Sequence, residues 1–200
     1  MKSIIKFILV TIPTFYYCLR SGIAYDSTYR LKGRIRIIRR PFYLTGNGGK
    51  MSIGKYFNAN SKTTSNSIGL IQPCVINIYT PDSSIIIGDH VGLSGSTINA
   101  SKSISIGNNV LIGSGCIITD TDSHPLGIED RFNGSQSSIK SSPIIICNNV
   151  FIGARSIILK GVTIGEWSVI GAGSVVSKNV PPYSVYAGNP AQFIKTIIKI

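Results

Sequence analysis

From Ile146 onward the apolar positions fall on every sixth residue, at Ile152, Ile158, Ile164, Ile170 and Val176, and four of the six are followed at once by glycine or cysteine. A helix repeats its apolar face every three to four residues and a half-buried strand every two. A sustained period of six therefore describes a short extended segment plus a corner, stacked again and again. Three such segments make one coil of about eighteen residues, whose strands bond to the coils above and below at about 4.8 Å. The same beat runs through Ile106, Ile112 and Ile118, and more faintly through Ile87 and Leu93. It predicts a parallel β-helix with its apolar residues stacked in a narrow core. Gly113, Gly153, Gly165 and Gly171, with Asn108 and Asn109, are expected to turn the corners through backbone of positive φ. Ala154, Ser156, Ala172 and Ser174 are small enough to sit where a flat face approaches another surface.

The register breaks from Asp120 to Pro143, in DTDSHPLGIEDRFNGSQSSIKSSP. A coil cannot absorb this polar, serine-rich stretch, which is expected to leave the solenoid as an external loop at about 120–143. Long ordered loops in compact domains are often functional. This one carries His124, one of two histidines in the chain. A polar loop is not where a packed core histidine belongs, and an imidazole is suited to general-base work near neutral pH. Asp120 and Asp122 precede it, and a carboxylate beside an imidazole can fix its tautomer and stabilise the imidazolium. Alternate residues of an extended segment share a face, so Asp120, Asp122 and His124 align if the strand continues that far. The competing reading is that the aspartates cap a turn. Glu129 is a more distant candidate, and His90, at a repeat corner in IGDHVG, reads as structural or solvent-exposed.

Length and composition, with 21 glycines and 43% hydrophobic residues, suit a single β-rich solenoid. Cys18, Cys74, Cys116 and Cys147 have no CxxC or other paired spacing, and read as structural free thiols in a reducing cytoplasm rather than as disulfides or metal ligands. The net charge of +12 is uneven, since residues 1–55 hold eleven of the twenty lysines and arginines but only one acid, Asp26. The densest cluster, RLKGRIRIIRR, lacks a recognition helix or zinc motif, so an anionic membrane surface or lipid-linked glycan is a better partner than nucleic acid. A solvated basic edge strand that deters aggregation is the plainer alternative. Residues 1–19, MKSIIKFILVTIPTFYYCL, are too short and too interrupted by Lys6 and Pro13 for a membrane span, and no small-residue cleavage site follows. They predict a helix, broken near Pro13, that caps the solenoid end or lies on a membrane face. Residues 1–50 are accordingly expected to form a basic N-terminal segment and 51–200 the β-helix.

The stretch HPLGIEDRFNGSQSSIKSSPIIICNNVFIGARSIILKGVTIGEWSVIGAGSVVSKNVPPYSVYAGNPAQFIK, with its specific VPPYSVYAGNP tail, resembles the hexapeptide-repeat O-acetyltransferases. These include galactoside and maltose acetyltransferases and enzymes that acetylate capsular or O-antigen polysaccharides. The resemblance covers about Ile85 to Lys195, and the basic first 60 residues look closer to the polysaccharide branch. It implies an all-β, left-handed parallel β-helix with an external catalytic loop and short N-terminal and C-terminal helical segments. It also implies a cytoplasmic homotrimer with acetyl-CoA bound in clefts between subunits, a carbohydrate acceptor, and no metal.

In that family His124 falls at the catalytic position, with Asp122 or Asp120 as its orienting carboxylate. Ala154, Ala172, Ser177, Lys178 and Lys195 fall along the acetyl-CoA path, and Asn99 lies on a coil near the acceptor. Lys178 and Lys195 can also be read as ordinary surface lysines. The chain departs from the galactoside type at Ala154, where a serine would support the oxyanion, at Phe151 for a tryptophan, and at Gln192 for an arginine. Two histidines are too few for the zinc of β-helical carbonic anhydrases, and the first 50 residues leave little room for the helical domain of serine acetyltransferases. N-acetylation of an amino sugar on a nucleotide carrier and a non-catalytic trimeric scaffold remain as alternatives.

Overall fold

All six residues of the C-terminal period are buried, as are Ile106, Ile112, Ile118, Ile87 and Leu93. A computed structural model, which describes residues 11–21, 23–32, 34–39 and 49–198, shows how the period produces this. The chain winds as a left-handed β-helix with three flat faces, each a stack of short strands that are parallel except for the last of the first face. The first face runs from Arg30–Lys32 through Leu111–Ser114 and Phe151–Ile152 to Ala191–Thr196. The second runs from Arg36–Arg39 through Val75–Ile78, Thr97–Ala100, Ile117–Thr119 and Ile157–Ile158 to Val175–Val176, and the third from Lys50–Ile53 to Thr163–Ile164. Each inward position stacks on its equivalent one coil away. Ile76, Ile98, Ile118, Ile158 and Val176 form one such column, and burying each isoleucine is worth about 1.5–3 kcal/mol.

The corners differ from expectation in an instructive way. Positive φ is carried by Tyr56, His90, Asn109, Asn149, Arg155, Trp167 and Tyr183, all between 56° and 60°, and by Gly115 and Gly173 at 72°. Gly113, Gly153, Gly165 and Gly171 are needed for close approach instead. A Cβ on Gly153 would lie 2.5 Å from the backbone nitrogen of Ala172, and one on Gly165 2.3 Å from that of Pro182. Of the two asparagines, Asn109 turns the corner, while Asn108 accepts a hydrogen bond from Asp89 N–H at 2.8 Å through its side chain. His90 stacks on Tyr56 with ring centroids 4.3 Å apart.

The β-helical sheets begin upstream of residue 51, since Arg30–Lys32 pairs with Asn58–Asn60 and Arg36–Arg39 with Val75–Ile78, both in parallel. Helix α1 (Ile12–Ser21) packs on Arg30–Lys32, with Pro13 in its first turn, where a missing N–H costs nothing. The expected helix upstream of Ile12 lies outside the described residues. At the other end, the expected C-terminal helical segment is a strand. Ala191–Thr196 folds back antiparallel on Ser184–Gly188 around Asn189–Pro190, with Gly188 at φ 103° and Gly188 paired to Ala191. The tight turn required by Gly-Asn-Pro and the strand-forming Phe193 and Ile194 explain the difference. All four cysteines are free. Burial pushes the Cys18 thiol up to about 11 and raises those of Cys74 and Cys116.

Candidate active site

The inserted residues leave the solenoid without disturbing it. Leu111 pairs with Phe151 and Phe151 with Val169, so the register steps over the insertion and resumes the six-residue beat. The loop starts and ends on a short stem. Thr121 bridges Ser141, Asp122 N–H donates to the Lys140 carbonyl at 3.0 Å, and Ser142 N–H to that of Asp120 at 2.9 Å. At its far end lies α2 (Ile128–Asn133), with Glu129 and Asp130 in its first turn and Gly134 at φ 66° ending it.

The two aspartates have separate environments. Asp120 is fully buried, and its carboxylate accepts from Ser101 N–H at 2.6 Å and Lys102 N–H at 2.7 Å, which ties the loop to the preceding coil. Burial raises its pKa, and the bonds from Ser101 and Lys102 work against that rise. Asp122 Oδ1 pairs with Lys160 Nζ, and its Oδ2 is buried with no partner. The strand ends at Thr119, and Ser123 turns at φ 62°. The extended geometry that would have aligned Asp120, Asp122 and His124 therefore stops short of the histidine. His124 is exposed just past that turn and makes no hydrogen bond to either aspartate among the described residues.

The imidazole stands at the edge of a groove of about 530 Å³ on the outer side of the second face. Its floor runs from Val75, Asn77 and Tyr79 through Thr97 and Asn99 to Ile117 and Thr119, and Ser123 and His124 close one side. Asn99 and His124 thus share one groove. A chain of side-chain hydrogen bonds crosses the floor, from Asn77 Nδ2 to Asn99 Oδ1 at 2.6 Å and from Asn99 Nδ2 to Thr119 Oγ1 at 3.0 Å. With every donor pointing the same way, Asn77 Oδ1 is left as a buried acceptor without a partner.

Sequence reasoning missed Asn77, Thr119 and Lys160. The signal was present in the outward polar positions of VINIY, TINA and IIT, but only coil-by-coil register puts them side by side. The residues expected along the acetyl-CoA path are more spread out. Ser177 and Lys178 follow the last strand of the second face and are exposed, two strands from Ile117–Thr119. Ala154 and Ala172 follow Ile152-Gly153 and Ile170-Gly171 in successive coils, where Gly113 and Gly153 allow the backbones to approach. Lys195 lies on the first face, opposite Val185, and the structure does not bring it onto the face that holds His124. Glu129 sits exposed on α2. Among the described residues no cluster of three metal-ligating side chains occurs.

Residues 143–178 match the bacterial transferase hexapeptide (six repeats) family, and residues 103–129 match the hexapeptide repeat of succinyl-transferase. The galactoside O-acetyltransferase of Escherichia coli K12 is 46% identical over 101 residues, 50% of this chain and 48% of that protein. The chain spans about half the length of the curated relatives it matches. Among solved structures, a maltose O-acetyltransferase from Clostridium difficile 630 is 32% identical with a TM-score of 0.59, covering 74% of this chain and 70% of that one. A galactoside acetyltransferase in complex with coenzyme A is 36% identical with a TM-score of 0.52, covering 71% and 64%.

Proposed function

The chain belongs to the hexapeptide-repeat O-acetyltransferases, and on that premise we propose that it transfers an acetyl group from acetyl-CoA to a sugar hydroxyl, on a capsular or O-antigen polysaccharide or its precursor. The observation that carries this reading is the groove in which an exposed His124 faces a floor of asparagine and threonine side chains. In the proposed reaction His124 takes the proton of the acceptor hydroxyl as its oxygen attacks the thioester carbonyl. Collapse of the tetrahedral intermediate breaks the C–S bond, and the imidazolium returns the proton to the departing thiolate. No acyl-enzyme is required, which agrees with cysteines that are buried or half-buried and absent from the groove. Asn77, Asn99 and Thr119 form the polar floor against which the acceptor lies.

The residues present fit the donor. Small side chains at Ala154 and Ala172 leave room for a narrow pantetheine arm, and Lys178 and Lys195 are exposed and free of ion pairs among the described residues, as phosphate ligands must be. With an alanine at 154, oxyanion stabilisation falls to backbone N–H groups. The proposed assembly is a homotrimer with acetyl-CoA between subunits, supported by the neighbouring outward side chains Leu111 and Phe151, which are 56% and 47% exposed. A cytoplasmic site of action goes with this reading, since free thiols and acetyl-CoA belong to a reducing compartment.

The test is release of CoA thiol from acetyl-CoA with and without oligosaccharide acceptors, for the native chain and His124→Ala. The expected result is acceptor-dependent release that falls about a hundredfold or more in the variant. Equal release from both would overturn the catalytic role of His124, and preference for an amino sugar over its hydroxyl counterpart would replace O- with N-acetylation.

A further inference from the structure

Helix α1 is turned the wrong way round for a simple cap. Its inward face is Thr14 and Cys18, both buried, with Thr14 Oγ1 accepting from Leu31 N–H at 3.4 Å. Its outward face is Ile12, Phe15, Tyr16 and Leu19, at the i, i+3, i+4 and i+7 spacing of a single stripe, and these are 50, 53, 49 and 71% exposed. Tyr25, 39% exposed, extends the stripe, its ring 5.3 Å from that of Phe15. A helix serving only to close the solenoid would bury its isoleucine, phenylalanine and leucine and expose its threonine.

The surroundings of the stripe are cationic. Arg20 flanks it, bonded to Tyr16 Oη at 3.0 Å, and Lys32, Arg34 and Lys55 are exposed at the same end of the molecule. The single acid of residues 1–55, Asp26, is engaged by Thr28 through both its backbone N–H and its hydroxyl. We propose that α1 docks this end of the β-helix onto an anionic lipid surface, with Ile12, Phe15 and Leu19 at the acyl boundary and Arg20, Lys32, Arg34 and Lys55 among the headgroups.

A second copy of the chain would set one cationic rim against another, whereas anionic headgroups complement it. Tyr16 and Tyr25, apolar rings with a polar tip, suit the headgroup level. No helix among the described residues is long and apolar enough to cross a membrane. The proposal is independent of the acetyltransferase reading.

The experiment is flotation of the full chain with vesicles of phosphatidylcholine alone or with about a third phosphatidylglycerol, at low salt and at about 0.5 M salt. Binding is expected only with phosphatidylglycerol and is expected to weaken with salt. Phe15→Glu and Leu19→Glu should each weaken it about tenfold or more, and Lys32→Gln or Arg34→Gln about fivefold. All four side chains are exposed, so an unchanged melting temperature shows that the variants fold. Absence of binding, equal binding to neutral vesicles, or binding indifferent to Phe15→Glu and Leu19→Glu overturns the proposal. So does a fall in sedimenting mass in those variants without a change in lipid binding, which would give the stripe to a second copy.

Discussion

Two aspartates, Asp120 and Asp122, stand two positions apart and hold different partners, and the difference is measurable. Replacing Asp120 by alanine leaves the Ser101 and Lys102 N–H groups without their acceptors in a buried setting, which costs about 3 kcal/mol. Thermal unfolding of Asp120→Ala should show a clear loss of melting temperature. Asp122→Asn keeps the shape of a side chain whose Oδ2 already lacks a partner and weakens only the part-buried pair with Lys160. Its melting temperature should change little while kcat falls about tenfold or more, because the pair holds the stem from which His124 projects. Steady-state kinetics beside a thermal scan separates the two, and a kcat for Asp122→Asn equal to native would remove any orienting role. The string DTDSH marked both carboxylates and the histidine, but which carboxylate is spent on backbone depends on the preceding coil, whose Ser101 and Lys102 lie 19 and 18 residues before Asp120 and beyond what local sequence displays.

At the scale of the element, the six-residue beat revealed the solenoid because a buried isoleucine at each inward position is both the signal and the cause of the stack. Its failures have causes too. The first coils replace Ile with Leu31 and Ala59 and lose the beat, so their membership in the sheets shows only through pairing. The last strand was hidden because a chain folding back at Gly188 no longer follows coil spacing. The glycines were found for the wrong reason, and a substitution tells the two reasons apart. A glycine kept only for positive φ could be exchanged for asparagine at small cost. At Gly153 any Cβ meets the backbone of the next coil, so Gly153→Ala should lower stability by about 1–3 kcal/mol. Chemical denaturation checks this, and a stability equal to native would mean that the coils separate more freely than their spacing implies.

For the whole molecule, the groove is open on one side and apolar side chains stand on the outer faces, as expected for a part of a larger assembly. Sedimentation should give three chains per particle, and Leu111→Lys with Phe151→Lys should give a single chain with lost transferase activity. A native chain that sediments alone and still releases CoA would show that one protomer suffices. The groove begins on Val75–Ile78, the strand next to Arg36–Arg39 of the first coil, and runs from there away from the end that carries α1.

The stem at Thr121 and Ser141 returns the chain close to where it left. Topologically the insertion is a side branch, and the energetic toll of such a branch rises only slowly with its length. Residues can be gained or lost between the two halves of the stem without any isoleucine of the coil changing its neighbour. Evolution can therefore rewrite what the groove accepts on one timetable and preserve the scaffold on another.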